Sequence, residues 1–356
     1  MRGPVPPAQV ALVGTGSIAA SYLEGLRHTP GFEVVAVCSR DPTNAAAFAT
    51  AHDLVSSSFA EILADPAVNY VLNLTPADAH PATTEACLQA GKSVYSEKPL
   101  ATTLAEADAL ISLADQRGLL LACAPATTLW PPLATAHRLV TEGTLGSIVG
   151  ALATLVYPGP ETFHANPAQF YLTAAGPLKD MGVYQINALC SLVGPVVSVS
   201  ALASRARTER KVQIGILAGA SFAVDAPTHV SAILQHASGV ISTIIVSFDG
   251  VSATPPRLEL YGDIGGLCIE NTHRPDAVLS LKRAGLHEQI TADGPLWSPA
   301  YKSIGPTSAW SAFHTDHPFA VNASRARHVL AILLSIEQSG LNGGLCQTNV
   351  AVREQR

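Results

Sequence analysis

The sequence predicts an α/β protein, with an N-terminal doubly wound parallel sheet followed by a C-terminal α+β domain built on a mostly antiparallel sheet. Three observations carry that expectation. From residue 9 to about 125, five short apolar runs alternate with amphipathic stretches. After that point the rhythm breaks, and over residues 196–290 strand-like runs follow one another, separated by Gly, Asp and Pro turn signals. Finally, 356 residues exceed what one core comfortably fills, so two domains are expected, over 1–125 and 126–356.

The first half reads in order. Its apolar runs are QVALV (9–13), EVVAVC (33–38), YVLNL (70–74), KSVYS (92–96) and LLLACA (119–124). Unbroken runs of this kind suit strands covered on both faces. Helices are expected over 18–28, 42–52, 81–90 and 104–116, the last with Thr103 and Glu106 spaced for a capping box. In the second half a helix over 131–142 starts with proline in its first turn and stops at Gly143. A strand over 148–156, an irregular stretch and a helix over 177–193 follow. The runs HVSAILQH, GVISTIIVSF, RLELYG and GGLCIE then supply the sheet, and a final helix over about 320–338 stops at Gly340 and is expected to pack back toward the first domain.

Composition narrows the function classes. Hydrophobic residues are 48% and charged residues 13%, a balance of a well-packed chain. A net charge of −6, with basic residues scattered and no like-charge run, argues against nucleic acid or an anionic membrane as partner and for a small-molecule substrate. No stretch approaches the ~20 apolar residues of a membrane span. The six cysteines form no C-x-x-C pair and none stands at zinc-ligand spacing from a histidine, which points to free thiols. The opening MRGPVPPAQVALVGTG puts prolines where a signal peptide needs an apolar stretch, so a cytoplasmic location is expected.

The clearest chemical signal follows the first strand. In VALVGTGSIAASYLEGL, Gly14, Gly16 and Ala19 make G-x-G-x-x-A at the point where a strand turns into a helix. Gly14 permits the tight turn, Gly16 lets the backbone approach a pyrophosphate, and Ala19 allows close helix-to-strand packing. Thr15, Ser17 and Ile18 complete the loop, which offers backbone N–H groups to phosphate at a helix N-terminus. The second strand ends in Cys38, Ser39 and Arg40, without the acid that accepts from a ribose 2′-OH. A hydroxyl followed by a guanidinium suits a 2′-phosphate, which favours NADP(H). NAD(H) stays open, with Asp41 as the replacement acid if the strand runs longer.

A second signal is YSEKPLA, residues 95–101, holding one of only six lysines. Parallel strands deliver their C-terminal ends to the ligand crevice, so Glu97, Lys98 and Pro99 are expected on the nicotinamide side. Proline biases the residue before it toward an extended backbone. A lysine partly desolvated there can hydrogen-bond a substrate hydroxyl and ease loss of its proton. Leu74, Thr75 and Pro76 of the NLTP turn are expected against the cofactor, and His80 either lines the nicotinamide pocket or is structural.

With these motifs in hand, the chain resembles the glucose-fructose oxidoreductase, inositol dehydrogenase and MocA (Gfo/Idh/MocA) family. The glycine loop, NLTP followed by Ala77, Asp78, Ala79 and His80, and EKP after the next strand carry the likeness in that order. The resemblance implies a Rossmann domain joined to a C-terminal domain whose open sheet forms a wall of the active site. It also implies that Lys98 is the catalytic lysine, and that D-x-G-x-H lies on a helix of the second domain. Here the stretch is GPLKDMGVYQINAL, so Asp180 and Gly182 match while Tyr184 replaces the histidine. Tyrosine at that point resembles the branch containing glucose-fructose oxidoreductase and dimeric dihydrodiol dehydrogenase, where it donates or accepts the proton. A phenol has an ordinary pKa of about 10, so a neighbouring ammonium is needed to bring it toward working pH.

The expected activity is hydride transfer between a nicotinamide and a hydroxyl or carbonyl of a sugar, cyclitol or related ring, with Tyr184 handling the proton, assisted by Lys98 and Asp180. Reduction of an activated C=C bond is a second reading, and a cofactor-sensing regulatory protein without turnover is a third. His164, Gln169 and Tyr171, with Asn166, precede the Asp180 helix in a loop position suited to substrate. His314, Asp316 and His317 lack further ligands, so no metal is expected. The family pairs through the open sheet, which implies a homodimer or homotetramer.

Overall fold

The computed structural model describes residues 5–173, 175–293 and 301–348. The chain divides into two compact units: residues 1–129, 297–330 and 352–356 form the first, and 130–296 with 331–351 form the second. Part of the proline-rich start, residues 1–4, lies outside the described residues.

In the first unit β1 (Ala8–Val13), β2 (Phe32–Cys38), β3 (Tyr70–Asn73), β4 (Ser93–Ser96) and β5 (Leu121–Cys123) pair in parallel in the order β2-β1-β3-β4-β5. Every residue of β3 and β4 is buried, which explains why these runs are apolar without alternation. The strands are joined by α1 (Ala19–Arg27), α2 (Pro42–His52), α3 (Phe59–Ala64), α4 (His80–Gln89) and α5 (Leu104–Arg117). The chain steps from β1 to β2 and then back past β1 to β3, so the ends of β1 and β3 form a topological switch point, where ligand crevices open.

The Thr103–Glu106 capping box forms, Thr103 Oγ1 accepting the Glu106 amide at 3.2 Å and Glu106 Oε2 accepting the Thr103 amide at 2.9 Å. Helix α3 was not legible in the pattern, because it buries only Ile62 and is defined instead by its own capping box, Ser58 with Glu61. The outer edge of β5 is covered: the Cys123 amide donates to the Val321 carbonyl at 2.9 Å and Ala122 pairs with Asn322.

The second unit contains α6 (Pro131–Thr141), β6 (Ile148–Val156), and a π-helical turn (Leu178–Gly182) leading into α7 (Val183–Val193). Then come β7 (Val196–Ser204), a hairpin of β8 (Glu209–Lys211) and β9 (Ser221–Ala223), β10 (His229–His236), β11 (Ile241–Ser247), β12 (Arg257–Gly262), β13 (Gly265–Glu270), β14 (Val278–Arg283) and β15 (Leu286–Ile290). With β16 (Leu345–Gln347) they build a nine-stranded sheet ordered β15-β14-β13-β12-β6-β11-β10-β7-β16. Only the β6–β11 pair is parallel; the other pairs are antiparallel, so the expected fold class is the one observed. The alternating strands turn one row inward against α6 and α7. The opposite row leaves Leu202, Ile233 and Ile241 more than half exposed.

Two helices close the description, α8 (Ile304–Thr315) and α9 (Ala323–Asn342). Gly305 and Pro306 hide α8 from a pattern reading, yet Pro306 falls in the first turn, where no intrahelical N–H is lost. The last helix runs past Gly340, which the sequence marks as a stop. A Cβ at Gly340 would come within 3.0 Å of Ala203 Cβ, so this glycine serves close packing against β7, and Gly343, at φ +72°, takes the left-handed position after the helix.

A buried ionic cluster organises the irregular stretch before α7. Arg210 pairs with Glu161 and Asp249 and donates to the carbonyls of Pro158 at 3.1 Å and Phe248 at 2.9 Å. Thr228 Oγ1 donates to Asp249, the Tyr171 hydroxyl donates to Glu161, and the guanidinium lies 5.2 Å from the centre of the Tyr171 ring. Arg210→Met strands two carboxylates in the interior and is expected to cost about 3–5 kcal/mol in urea unfolding; adding Glu161→Gln and Asp249→Asn should recover part of that loss. His236 is buried, with Nδ1 2.7 Å from the Gly194 carbonyl and Nε2 2.8 Å from Ser242 Oγ, and burial holds its pKa below the ordinary histidine value. The unfolded chain therefore binds a proton that the folded chain resists. This stability is present above about pH 6.5 and is lost as the pH falls below it. Melting temperature should drop between pH 7.5 and 5.5, with a shallower slope in His236→Gln.

Candidate active site

The three strand ends at the switch point meet around Gly14. Its amide donates to the Cys38 carbonyl at 2.8 Å, its φ is +112°, and a Cβ there would lie 2.5 Å from the Leu74 carbonyl oxygen. No side chain fits. Gly16, by contrast, is exposed, and a Cβ on it would meet nothing within 4 Å. Behind it Ala19 is fully buried, allowing α1 to start close to the sheet. The N-terminus of α1 carries neither a capping side chain nor an acidic residue in its first turn. The turn thus has open space in front of it and the positive end of a helix behind, a setting that suits an anion. The residues present fit a dinucleotide pyrophosphate.

At the adenosine side, β2 ends at Cys38, Ser39 is half-buried and Arg40 is exposed. Asp41 is the N-cap of α2, its Oδ1 accepting the Thr43 amide at 2.9 Å. The strand does not run longer, and that carboxylate has a structural task at the helix start.

The turns after β3 and β4 are locked by polar side chains. Asn73 is fully buried; its Nδ2 donates to the His80 carbonyl at 3.1 Å and to Thr84 Oγ1 at 3.0 Å, while its Oδ1 accepts Thr75 Oγ1 at 2.6 Å. The His80 ring places Nε2 2.7 Å from the Thr75 carbonyl and Nδ1 2.7 Å from the Pro99 carbonyl. Both nitrogens are thus engaged by backbone, so the imidazole ties one turn to the other and turns neither nitrogen toward a ligand. Asn73 was not singled out from the sequence, although a polar residue inside YVLN is the signal that marks it.

Glu97 and Lys98 leave β4 beside this lattice, half-buried. The Glu97 amide donates to the Asn73 carbonyl at 2.9 Å. Glu97 Oε1 accepts the Tyr22 hydroxyl at 2.7 Å, and Oε2 accepts the Lys98 amide at 3.0 Å. Glu97 therefore holds the backbone of the lysine in place, and the Lys98–Pro99 peptide bond is cis. Burial, then the Glu97 charge, push the Tyr22 phenol well above its ordinary value, so it remains the donor in that bond.

In the second unit Asp180 lies in the π-helical turn and Tyr184 in the first turn of α7, both half-buried. Single π turns inserted at helix starts are frequent at functional sites. Tyr157, at the end of β6, was missed by the sequence reading; an aromatic residue closing an alternating strand just before Pro158-Gly159-Pro160 is its only signal. Its phenol is pushed upward by burial, then by the charges of Asp180 and Glu161. His164 Nδ1 accepts the Asn166 amide at 3.0 Å and Gln169, exposed, donates to the Asn166 carbonyl at 3.2 Å. Tyr171 is fully buried with its hydroxyl on Glu161, which leaves that phenol no surface to offer a substrate. His314 and His317 each turn Nδ1 to a nearby backbone carbonyl, and the described residues hold no cluster of three metal-ligating side chains. No helix among the described residues is long and apolar enough to cross a membrane.

Comparison with known proteins agrees with this layout. Residues 8–124 match the family model described as "Oxidoreductase family, NAD-binding Rossmann fold", and residues 133–268 match the Gfo/Idh/MocA C-terminal domain. Trans-1,2-dihydrobenzene-1,2-diol dehydrogenase of Macaca fascicularis is 32% identical over 187 residues, covering 51% of this chain and 55% of that protein. The chain thus spans about half the length of those dehydrogenases. The 1,5-anhydro-D-fructose reductase of Ensifer adhaerens is 27% identical over 79% of this chain and 82% of its own. Among solved structures, an oxidoreductase domain protein from Kribbella flavida superposes with a TM-score of 0.85 at 18% identity, over 97% of this chain and all of that one. Levoglucosan dehydrogenase in complex with NADH and L-sorbose gives 0.84 at 19%, over 96% and 98%. These structural likenesses speak for the fold. With both of its domains matched by the paired models of one family, the chain belongs to the Gfo/Idh/MocA oxidoreductases.

Proposed function

We propose that this oxidoreductase interconverts a hydroxyl and a carbonyl on a sugar, cyclitol or related ring, with NADP(H) preferred over NAD(H). The observation that carries the reading is the Gly14 turn pressed on the Leu74 carbonyl, with Glu97 and Lys98 leaving β4 next to the turn it packs against. When bound, the nicotinamide supplies or accepts the hydride. The chain's own part is the proton and the charge. Tyr184 gives its proton to the developing alkoxide in reduction and takes it back in oxidation, while the Lys98 ammonium stabilises negative charge on that oxygen. Asp180, four residues before Tyr184, orients the donor set. Relatives named for a cyclic diol and an anhydrosugar support a ring bearing hydroxyl groups.

The preference for NADP(H) rests on Ser39 and Arg40 together with the structural engagement of Asp41. A guanidinium forks onto phosphate oxygens, whereas nothing at the end of β2 offers a free acid for a ribose 2′-OH. We also propose that the face of the nine-stranded sheet bearing the exposed side chains of Leu202, Ile233 and Ile241 pairs two copies of this chain, since these three neighbouring apolar groups suit an interaction surface.

Turnover of sugars, cyclitols, dihydrodiols and enones, followed by nicotinamide absorbance, tests the reading. Tyr184→Phe and Lys98→Met should each lower kcat for carbonyl reduction about 10²-fold or more; retained carbonyl turnover in Tyr184→Phe sinks the assignment, and turnover of enones alone replaces it with C=C reduction. Arg40→Ala should weaken NADPH binding about ten- to a hundredfold in titration calorimetry and leave NADH unchanged.

A further inference from the structure

The peptide plane between Glu97 and Lys98 is held at both of its ends. Its carbonyl accepts Ser96 Oγ at 3.0 Å and Cys123 Sγ at 3.7 Å, and its N–H, that of Lys98, donates to Glu97 Oε2 at 3.0 Å. Of these partners the Glu97 carboxylate is the one on a long, rotatable side chain, and it is only half-buried. Its other oxygen, Oε1, is fixed from outside the turn by the Tyr22 hydroxyl at 2.7 Å. Tyr22 stands in the first turn of α1, directly after the glycine loop: its amide donates to the Ile18 carbonyl at 3.2 Å, and the Ala19 amide to the Gly16 carbonyl at 3.0 Å. The Tyr22 side chain is buried in the core of the first unit, where its ring meets the Tyr95 ring edge-on with centroids 6.1 Å apart. A ring packed in this way has little freedom to turn, so its hydroxyl is a fixed point for the carboxylate.

We propose that Tyr22 is a positioning residue for Lys98: by holding Glu97 Oε1 it keeps Oε2 on the Lys98 amide, so that the helix after the glycine loop sets the backbone from which the lysine projects. A hydroxyl that donates to a carboxylate makes one of the stronger hydrogen bonds, and a buried donor competes with little water. Burial, then the Glu97 charge, keeps the phenol protonated, so it stays the donor. Without that hydroxyl the carboxylate is free to rotate, and the Lys98 amide loses the acceptor that fixes its plane. A reacting group has to be held to within about 0.5 Å, and rotation of the peptide plane beneath Lys98 carries its side chain along. The consequence for catalysis rests on the proposed role of Lys98; the chain from Tyr22 through Glu97 to the amide does not.

The backbone amide resonance of Lys98 in the full-length, deuterated and ¹⁵N-labelled protein reads this chain without turnover. Tyr22→Phe removes one oxygen and keeps the ring; it should displace the Lys98 amide proton resonance while those of β4 stay in place. Glu97→Ala should displace it further, and adding Tyr22→Phe to Glu97→Ala should change it no more. Kinetics give the second readout. Tyr22→Phe should lower kcat about tenfold and leave KM and NADPH affinity within about twofold of the wild type, and the double variant should be no slower than Glu97→Ala alone. An unmoved Lys98 resonance in Tyr22→Phe overturns the proposal, as does an equal displacement with and without the Glu97 carboxylate, or an active enzyme whose kcat Tyr22→Phe leaves unchanged. Should Glu97→Ala not fold, Tyr22→Phe alone decides by the same resonance and the same split between kcat and KM. A Lys98 resonance that moves as expected in a protein that turns over no carbonyl upholds the hydrogen-bonded chain and defeats the reaction assignment instead.

Discussion

The first unit is arranged around one close approach. Gly14 gives its amide to the end of β2 while its α-carbon rests on the carbonyl that ends β3, and this contact leaves no volume for a side chain at the junction of three strands. The chain must therefore leave the sheet in a conformation favoured by glycine, at +112° in φ. Where it leaves, α1 must begin. The helix starts there without a capping side chain or an acidic residue in its first turn, so its positive end is not offset by its own side chains. The steric constraint on one glycine and the anion preference of one helix end are the same feature seen from two sides.

That junction would be loose without the polar lattice beneath it. A buried Asn73 is costly unless its amide is fully paired, and here the pairing is what links β3 to Thr75, Thr84 and the start of α4. His80 carries the connection to Pro99, and the Glu97 amide closes it on the Asn73 carbonyl. Two adjacent turns are in this way held to one another by buried hydrogen bonds, with Lys98 between them. A reactive side chain gains from such support, since a site is only as well defined as the groups that hold it.

The parallel strands, α1, α2, α4 and α5 were legible because each satisfies a local rule: an apolar run between turn residues, or a cap at the right spacing. The glycine motif was legible for the same reason, its three positions falling within six residues. Helices α3 and α8 were not. The first is too short to show a period, and the second opens with Gly305 and Pro306, tolerated only because the first turn needs no intrahelical N–H. Gly340 reads as a stop until Ala203 is placed against it. The hydrogen bond from the Tyr70 hydroxyl to the Pro306 carbonyl joins residues 236 positions apart in the sequence, and no periodicity encodes that; the fold alone brings them together. Tyr171 failed in the opposite way, since a loop position promised access and the ionic cluster of Arg210 buried it.

The second unit constrains which phenol can work. Asp180 has two tyrosines associated with it, Tyr184 by spacing on the helix and Tyr157 by electrostatic reach. Burial and two carboxylates keep Tyr157 protonated, so it can donate a hydrogen bond but is a poor partner for an exchange that passes through phenolate. The cation adjoining Asp180 in sequence, Lys179, is already paired with Glu337 at 2.8 Å. Of these two phenols the proposed reaction uses Tyr184, and Lys179 is not the cation that the proposal calls for.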